Sequence, residues 1–282
     1  MKFEDINILK SVTRIVAFLL VFSLAFCMMS CENESVIING NASNSTPTIN
    51  QNGMQSGTQS GTQSGNSSHN SSGKKRVAIT YDDGPHNVNT VNIVDELAKY
   101  GFSATFFVVG NRISGPEYNG AKAMKYAASK GNEIAIHGFT HLQDKEHYYD
   151  TCSESIFRSE LGDTKSAILA QVPNAKIKLM RPVGGKITAE RVQSCGYSVI
   201  MWSVDSNDWR YKSSGADGVS TIVNNVMSQV QNGSIILMHD IYENTYLATK
   251  EILKQLNAQG YEVVTVSELL GNPQAGVKYS KA

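Results

Sequence analysis

The sequence predicts a parallel α/β barrel over residues 74–271 of a 282-residue chain. Two observations carry that expectation. From residue 76 onward, short apolar runs rich in β-branched residues alternate with segments of helical spacing, the pattern of parallel strands joined by helices. Polar residues capable of chemistry follow nearly every apolar run, and a barrel brings all strand C-termini to one face. A doubly wound open sheet would gather them at a single switch point instead.

Arg76–Tyr81 is a β-rich run ending in acidic and turn residues, and Val91–Tyr100 has helical spacing that Gly101 stops. Ala104–Val109 reads as a strand, Tyr118–Lys130 as a helix, Glu133–Ile136 as a strand and Ser153–Leu169 as a helix. Lys176–Met180, Ser198–Trp202, Ser234–Met238 and Glu262–Thr265 supply further strands, with helices around Ala189, Val223 and Lys250. Tyr81, Tyr197 and Trp202 read as packing residues, and residues 272–282 as a C-terminal tail.

The first 73 residues are of another kind. Lys10 and Arg14 precede the apolar run Ile15–Met29, which has the length of an export signal and falls short of the ~20 residues that span a bilayer. Ser30 and Cys31 then resemble a bacterial lipoprotein cleavage site. Residues 1–31 are therefore expected to be a leader, and Cys31 the lipidated end of an exported protein held at the membrane, with plain secretion as the alternative. Residues 32–73 are dominated by Asn, Ser, Gly, Thr and Gln, with tandem Gln-Ser-Gly-Thr units over Gln55–Gly65, too polar to bury a core. They read as a disordered tether with an r.m.s. span of roughly 35 Å.

The chain has 25 basic and 25 acidic residues, and the leader would remove three of the former and two of the latter. The remainder is close to neutral, which disfavours nucleic acid as a partner. Of the cysteines, Cys152 and Cys195 lie in the folded part, either as a disulfide or as two separate small buried residues.

His137-Gly138-Phe139-Thr140-His141 sets two imidazoles four residues apart, one turn if the segment is helical and therefore on one side, a spacing that suits zinc. A further ligand is needed, and the hard oxygen of Asp82 or Asp83 would leave positions open for water and substrate. Those aspartates sit in Thr80-Tyr81-Asp82-Asp83-Gly84-Pro85, at a strand end, where successive side chains point in opposite directions unless a turn redirects them. Different surroundings imply different roles: one carboxylate as a ligand, the other as a proton acceptor.

Together with three later segments these resemble the five motifs of the polysaccharide deacetylase family, also called carbohydrate esterase family 4 or the NodB homology domain. Thr80–Pro85 resembles the first motif, His137–His141 the second, Arg181–Gly185 the third, Asp205–Trp209 the fourth and Leu237–Asp240 the fifth. The resemblance covers residues 76–271 and implies a distorted (β/α) barrel with fewer than eight complete repeats. It implies one divalent ion, usually zinc with cobalt or manganese as alternatives, on Asp83, His137 and His141. It makes Asp82 the general base, held as a carboxylate by Arg181, and His239 the general acid, tuned by a fourth-motif carboxylate, Asp208 in preference to Asp205. Trp209 and Leu237 become walls for the acetyl methyl, and a backbone N–H of the third-motif loop, at Gly184, an oxyanion donor. Gly184 and Val183 depart from the commonest third motif, which has a proline followed by an aromatic residue there, so the aromatic wall of the groove is expected to be weaker or borrowed. Leu142 replaces a proline often found after the second histidine.

The implied activity is removal of N-acetyl groups from N-acetylhexosamine units of a cell-wall polysaccharide, peptidoglycan or a related polymer, with release of acetate. An O-acetyl esterase of the xylan type would use the same site. A catalytically dead carbohydrate-binding protein would lack a ligand, the base or the acid, and all are present. A monomer is the default.

Overall fold

The computed structural model describes residues 74–115 and 120–282. The leader, Cys31 and the tether lie outside them, as does the start of the helix expected at Tyr118. Among the described residues nine strands form one sheet, β1 Lys75–Asp82, β2 Thr105–Val108, β3 Glu133–Ile136, β4 Leu179–Met180, β5 Ser198–Ile200, β6 Val204–Asp205, β7 Ile235–His239, β8 Tyr261–Val263 and β9 Lys278–Tyr279. Their order is β6-β7-β1-β2-β3-β4-β5-β9, with β8 beside the N-terminal half of β1, and every pairing is parallel. The sheet curls, and three residues, Met201–Ser203, carry the chain from β5 near one end to β6 at the other. This is a parallel barrel left incompletely closed.

The main helices are α1 Asn89–Lys99, α2 Gly110–Ser114, α3 Ala121–Ser129, α4 Glu154–Gln171, α5 Ala189–Ser194, α6 Gly215–Met227, α7 Glu243–Ala258 and α8 Val266–Leu270. Several starts are written in the sequence. Ser153 accepts a hydrogen bond from Ile156 N at the start of α4, and Thr188 does the same for Arg191 N at α5. Thr265, expected at a strand end, instead opens α8 through a capping box with Glu268. None of these helices is long and apolar enough to cross a membrane.

Strand periodicity explains both the core and the position of the site. Ala78, Phe107, Ala135, Leu179, Ile200 and Ile235, one from each of six strands, pack inside the curl, closed at one end by Val266 of α8. Their neighbours Val77, Ile79, Phe106, Ile134, Ile136, Met180, Val199 and Ile236 face the helices in the larger cluster. Side chains alternate, so two residues on from each inner position the chain again faces inward. That step leads from Leu179 to Arg181, from Ala135 to His137 and from Ile235 to Leu237 and His239. Four residues on from Ala78 lies Asp82. The apolar plug thus determines which residues can meet above it.

Within residues 272–282, Lys278–Tyr279 form β9, which pairs with β5, and Ala282 N donates to Gly233 O. A two-residue strand held by backbone bonds has no hydrophobic period to announce it. Cys152 and Cys195 are both buried and both free, Cys152 beside Arg191 and Cys195 within the turn it closes.

Candidate active site

A cavity of about 340 Å³ opens at the strand C-termini, lined by Asp82, Asp83, His137, His141, Asp205, Trp209, Leu237 and His239, with the backbone of Gly184 and Gly185 on one side. Of the strand-end polar residues, Arg181 and Asp208 stand behind the cavity, bonded to Asp82 and His239, and Asp240 is buried away from it.

Asp83, His137 and His141 offer three ligand atoms within 4.8 Å of one another. Asp83 Oδ1 lies 2.8 Å from His141 Nε2 and 3.4 Å from His137 Nε2, yet it is buried with no aligned hydrogen-bond partner. The three ligand atoms lie close enough together to share one cation. Burial opposes the charge on Asp83, but the two imidazoles outweigh it and hold the carboxyl well below the usual carboxylate range. His137 Nδ1 lies 2.9 Å from the carbonyl of Arg181, which accepts a hydrogen bond from the Nδ1–H and leaves Nε2 as the lone-pair nitrogen. These residues fit a divalent cation.

The His137–His141 segment is not helical. Gly138 at φ 86° and His141 at φ 57° fold it into a loop that returns both rings to one side. Asp83 is also left-handed, at φ 73°. That turn redirects Asp83 away from the face opposite Asp82, and Arg112 holds it by donating to the Asp83 carbonyl at 2.5 Å. Two of the three candidate ligands are therefore non-glycine residues with positive φ, a conformation costing on the order of 1 kcal/mol each.

Arg181 is fully buried. Its Nη1 donates to Asp82 Oδ1 at 2.7 Å and to Thr80 Oγ1 at 2.8 Å, while Nε and Nη2 donate to the carbonyls of Ile200 and Met201. Phe107 and Trp202 flank the guanidinium. A guanidinium so placed holds Asp82 by Oδ1 and leaves Oδ2 3.6 Å from His137 Nε2.

Across the cavity, His239 Nδ1 donates to Asp208 Oδ1 at 2.7 Å. Asp208 is completely buried and also accepts from His239 N, Trp209 N and Thr245 Oγ1. Burial alone would lower the His239 pKa, but the Asp208 charge and hydrogen bond more than compensate and raise it to about 9. Asp205, the less favoured partner, turns back to accept from Asn207 N and does not reach His239. Trp209 is 46 % exposed and Leu237 is buried, an open and a closed wall of one cavity.

Sequence reasoning missed several contributors. Trp202, read as core, lines the cavity. Thr245 on α7 and Thr80 on β1 hold the two carboxylates Asp208 and, through Arg181, Asp82. Glu160 binds the histidine loop from below. Its signal was present, an acid on the buried stripe Phe157, Leu161, Thr164, Ile168 of α4.

Residues 69–200 match the family model of polysaccharide deacetylases. The peptidoglycan-N-acetylglucosamine deacetylase of Bacillus cereus is 34 % identical over 71 % of this chain and 90 % of its own. The peptidoglycan-N-acetylmuramic acid deacetylase PdaC of Bacillus subtilis is 35 % identical over 70 % of this chain but only 39 % of its own length, so the chain spans about two fifths of that relative. The solved structure of PdaC superposes with a TM-score of 0.63 at 34 % identity, covering 71 % of this chain and 91 % of that one. With the fold, the motif order and a relative matched over nearly its full length in agreement, the chain belongs to the polysaccharide deacetylase family, carbohydrate esterase family 4.

Proposed function

We propose that this protein is a metal-dependent N-deacetylase acting on N-acetylhexosamine units of a cell-wall polysaccharide, peptidoglycan or a close relative of it, with release of acetate. The observation that carries the reading is the opposition of two charge pairs, Asp82 with Arg181 and His239 with Asp208, across the cavity where Asp83, His137 and His141 converge.

Asp83, His137 and His141 would hold one divalent ion, zinc in our reading, which when bound supplies Lewis-acid polarisation of the acetyl carbonyl and acidifies water beside it. The chain's own residues do the rest. Asp82, held and oriented by Arg181, takes the proton from the attacking water. Gly184 lines the cavity, and its backbone N–H would receive the oxyanion. His239, kept protonated by Asp208, gives its proton to the sugar nitrogen, so that the amine departs neutral. Trp209 and Leu237 enclose the acetyl methyl. The names of the B. cereus and PdaC relatives support peptidoglycan as the polymer.

We further propose a lipid on Cys31, with residues 32–73 as the tether that keeps the domain close to the wall. Mass spectrometry of the native N-terminus tests the anchor. Acetate release from peptidoglycan strands, chitooligosaccharides and acetylated xylan, with zinc supplied, tests the activity. N-acetylated polymers should be the better substrates, and release from xylan alone, or from none of the three, would overturn the assignment.

A further inference from the structure

We propose that Glu160 is a positioning residue for the cation site: its carboxylate sets the shape of the loop between His137 and His141 and thereby the affinity for a divalent ion. The inference rests on the reading of Asp83, His137 and His141 as ligands.

Glu160 is buried in the middle of α4 and has no cationic partner among the recorded ion pairs of the described residues. Both oxygens are instead spent on the two residues between the last glycine and the second histidine. Oε2 accepts from Phe139 N at 2.6 Å and from Thr140 N at 3.0 Å, and Oε1 accepts from Thr140 Oγ1 at 2.7 Å. On the other side of the same loop, the carbonyls of Gly138 and Phe139 accept from Gly110 N and Asn111 N. The N–H side of the loop is thus held by one side chain and the carbonyl side by the start of α2.

The loop needs such a clamp because it enters through a left-handed glycine and leaves through a left-handed histidine, so no helical ladder supports it. A carboxylate with two amides and a hydroxyl on it makes charge-assisted bonds, stronger than neutral ones. Rotation of the Phe139 or Thr140 peptide would move His141 relative to His137, and ligand geometry depends on the groups that hold the ligands. Room beneath the loop is also fixed: a side chain at Gly138 would meet Tyr149 Oη at 2.6 Å and Glu160 Oε2 at 3.0 Å.

Three substitutions separate reach from charge. Glu160→Gln can keep its oxygen on the two amides and turn its NH₂ to Thr140 Oγ1, which then accepts. Glu160→Asp keeps the charge but falls one methylene short. Glu160→Ala removes every bond. Zinc affinity of each full-length protein is measured by competition with a chromophoric chelator, and the visible spectrum of the cobalt-loaded form reports ligand geometry. Circular dichroism without metal checks folding. Glu160→Gln should stay within about threefold of wild type, and Glu160→Asp and Glu160→Ala should weaken binding by about 10–100-fold with an altered cobalt spectrum. If Glu160→Ala fails to fold, the Gln and Asp variants decide. Affinities within twofold across folded variants, or binding retained by Asp and lost by Gln, would overturn the proposal. If wild type itself bound no zinc, or if His137→Ala bound it as well as wild type, the ligand reading would be the one to fail.

Discussion

Replacing Asp208 by Asn isolates the charge that keeps His239 protonated. The imidazole is raised from 6.5 to about 9, and Asp208 is the main favourable cause. A shift of that size corresponds to about 3 kcal/mol. Without the carboxylate, burial pulls the value back toward the ordinary histidine range, against the smaller opposing pull of Asp83 and Asp82. At pH 7.5 the protonated fraction then falls from nearly all to about a tenth. Deacetylation of an N-acetylated oligosaccharide should drop at least about tenfold at that pH, and the alkaline limb of its profile should move from about pH 9 to below about pH 7. An aryl acetate ester should be far less affected, because phenolate leaves without a proton. The stability consequence has a definite sign. A histidine with a raised folded pKa stabilises fully below its unfolded value and loses that contribution as pH rises through the folded one, so the pH-dependent part of the wild-type advantage should disappear between about pH 6.5 and 9. Rate profiles on both substrates, an NMR titration of His239 and thermal midpoints at pH 6 and 10 measure these effects. An unmoved alkaline limb, or equal loss on amide and ester, would refute the pairing.

His137→Ala should lose bound divalent metal by elemental analysis and reduce acetate release by at least ~100-fold, since both a candidate ligand and its anchor on the Arg181 carbonyl disappear. Gly84→Ala should destabilise by about 2–4 kcal/mol in a thermal or urea melt, because a Cβ there collides with both carboxylate oxygens of buried Asp240. Asp240→Asn should do the reverse in alkali. Burial raises the Asp240 pKa from 3.8 to about 7, so the native carboxyl loses stability as pH rises across that window, and the amide should gain up to about 4 kcal/mol at pH 9 and little at pH 4. Parallel stability profiles for the two proteins would remove that assignment.

What the sequence made legible was local or periodic. The paired histidines and paired aspartates are short-range patterns, and the strand-end positions follow from the apolar runs before them. What it concealed depends on distance. The buried stripe around Glu160 marks an acid on an apolar face but not the loop 20 residues earlier that hangs on it, and nothing near Thr245 points to Asp208, 37 residues away. Helical spacing also misdescribed the histidine pair, because two left-handed residues reproduce the same-side geometry without a helix. Trp202 was read from its hydrophobicity, whereas its position between β5 and β6 opens it to the cavity.

Arg181 and Asp83 would meet different fates in a lineage that had stopped hydrolysing anything. Arg181 ties together β1, the end of β5 and the aromatic layer around it, so purifying selection on folding alone would retain it. Asp83 serves the fold through its carbonyl, which accepts from Arg112, and not through its carboxylate, whose inner oxygen is left without an aligned donor. Drift would be free to replace that carboxylate by Asn or Gly, which tolerate the same left-handed backbone. An intact arginine is therefore weak testimony that a family member still works, whereas a left-handed aspartate facing two histidines is stronger testimony, because selection on folding alone gives no reason to keep its charge.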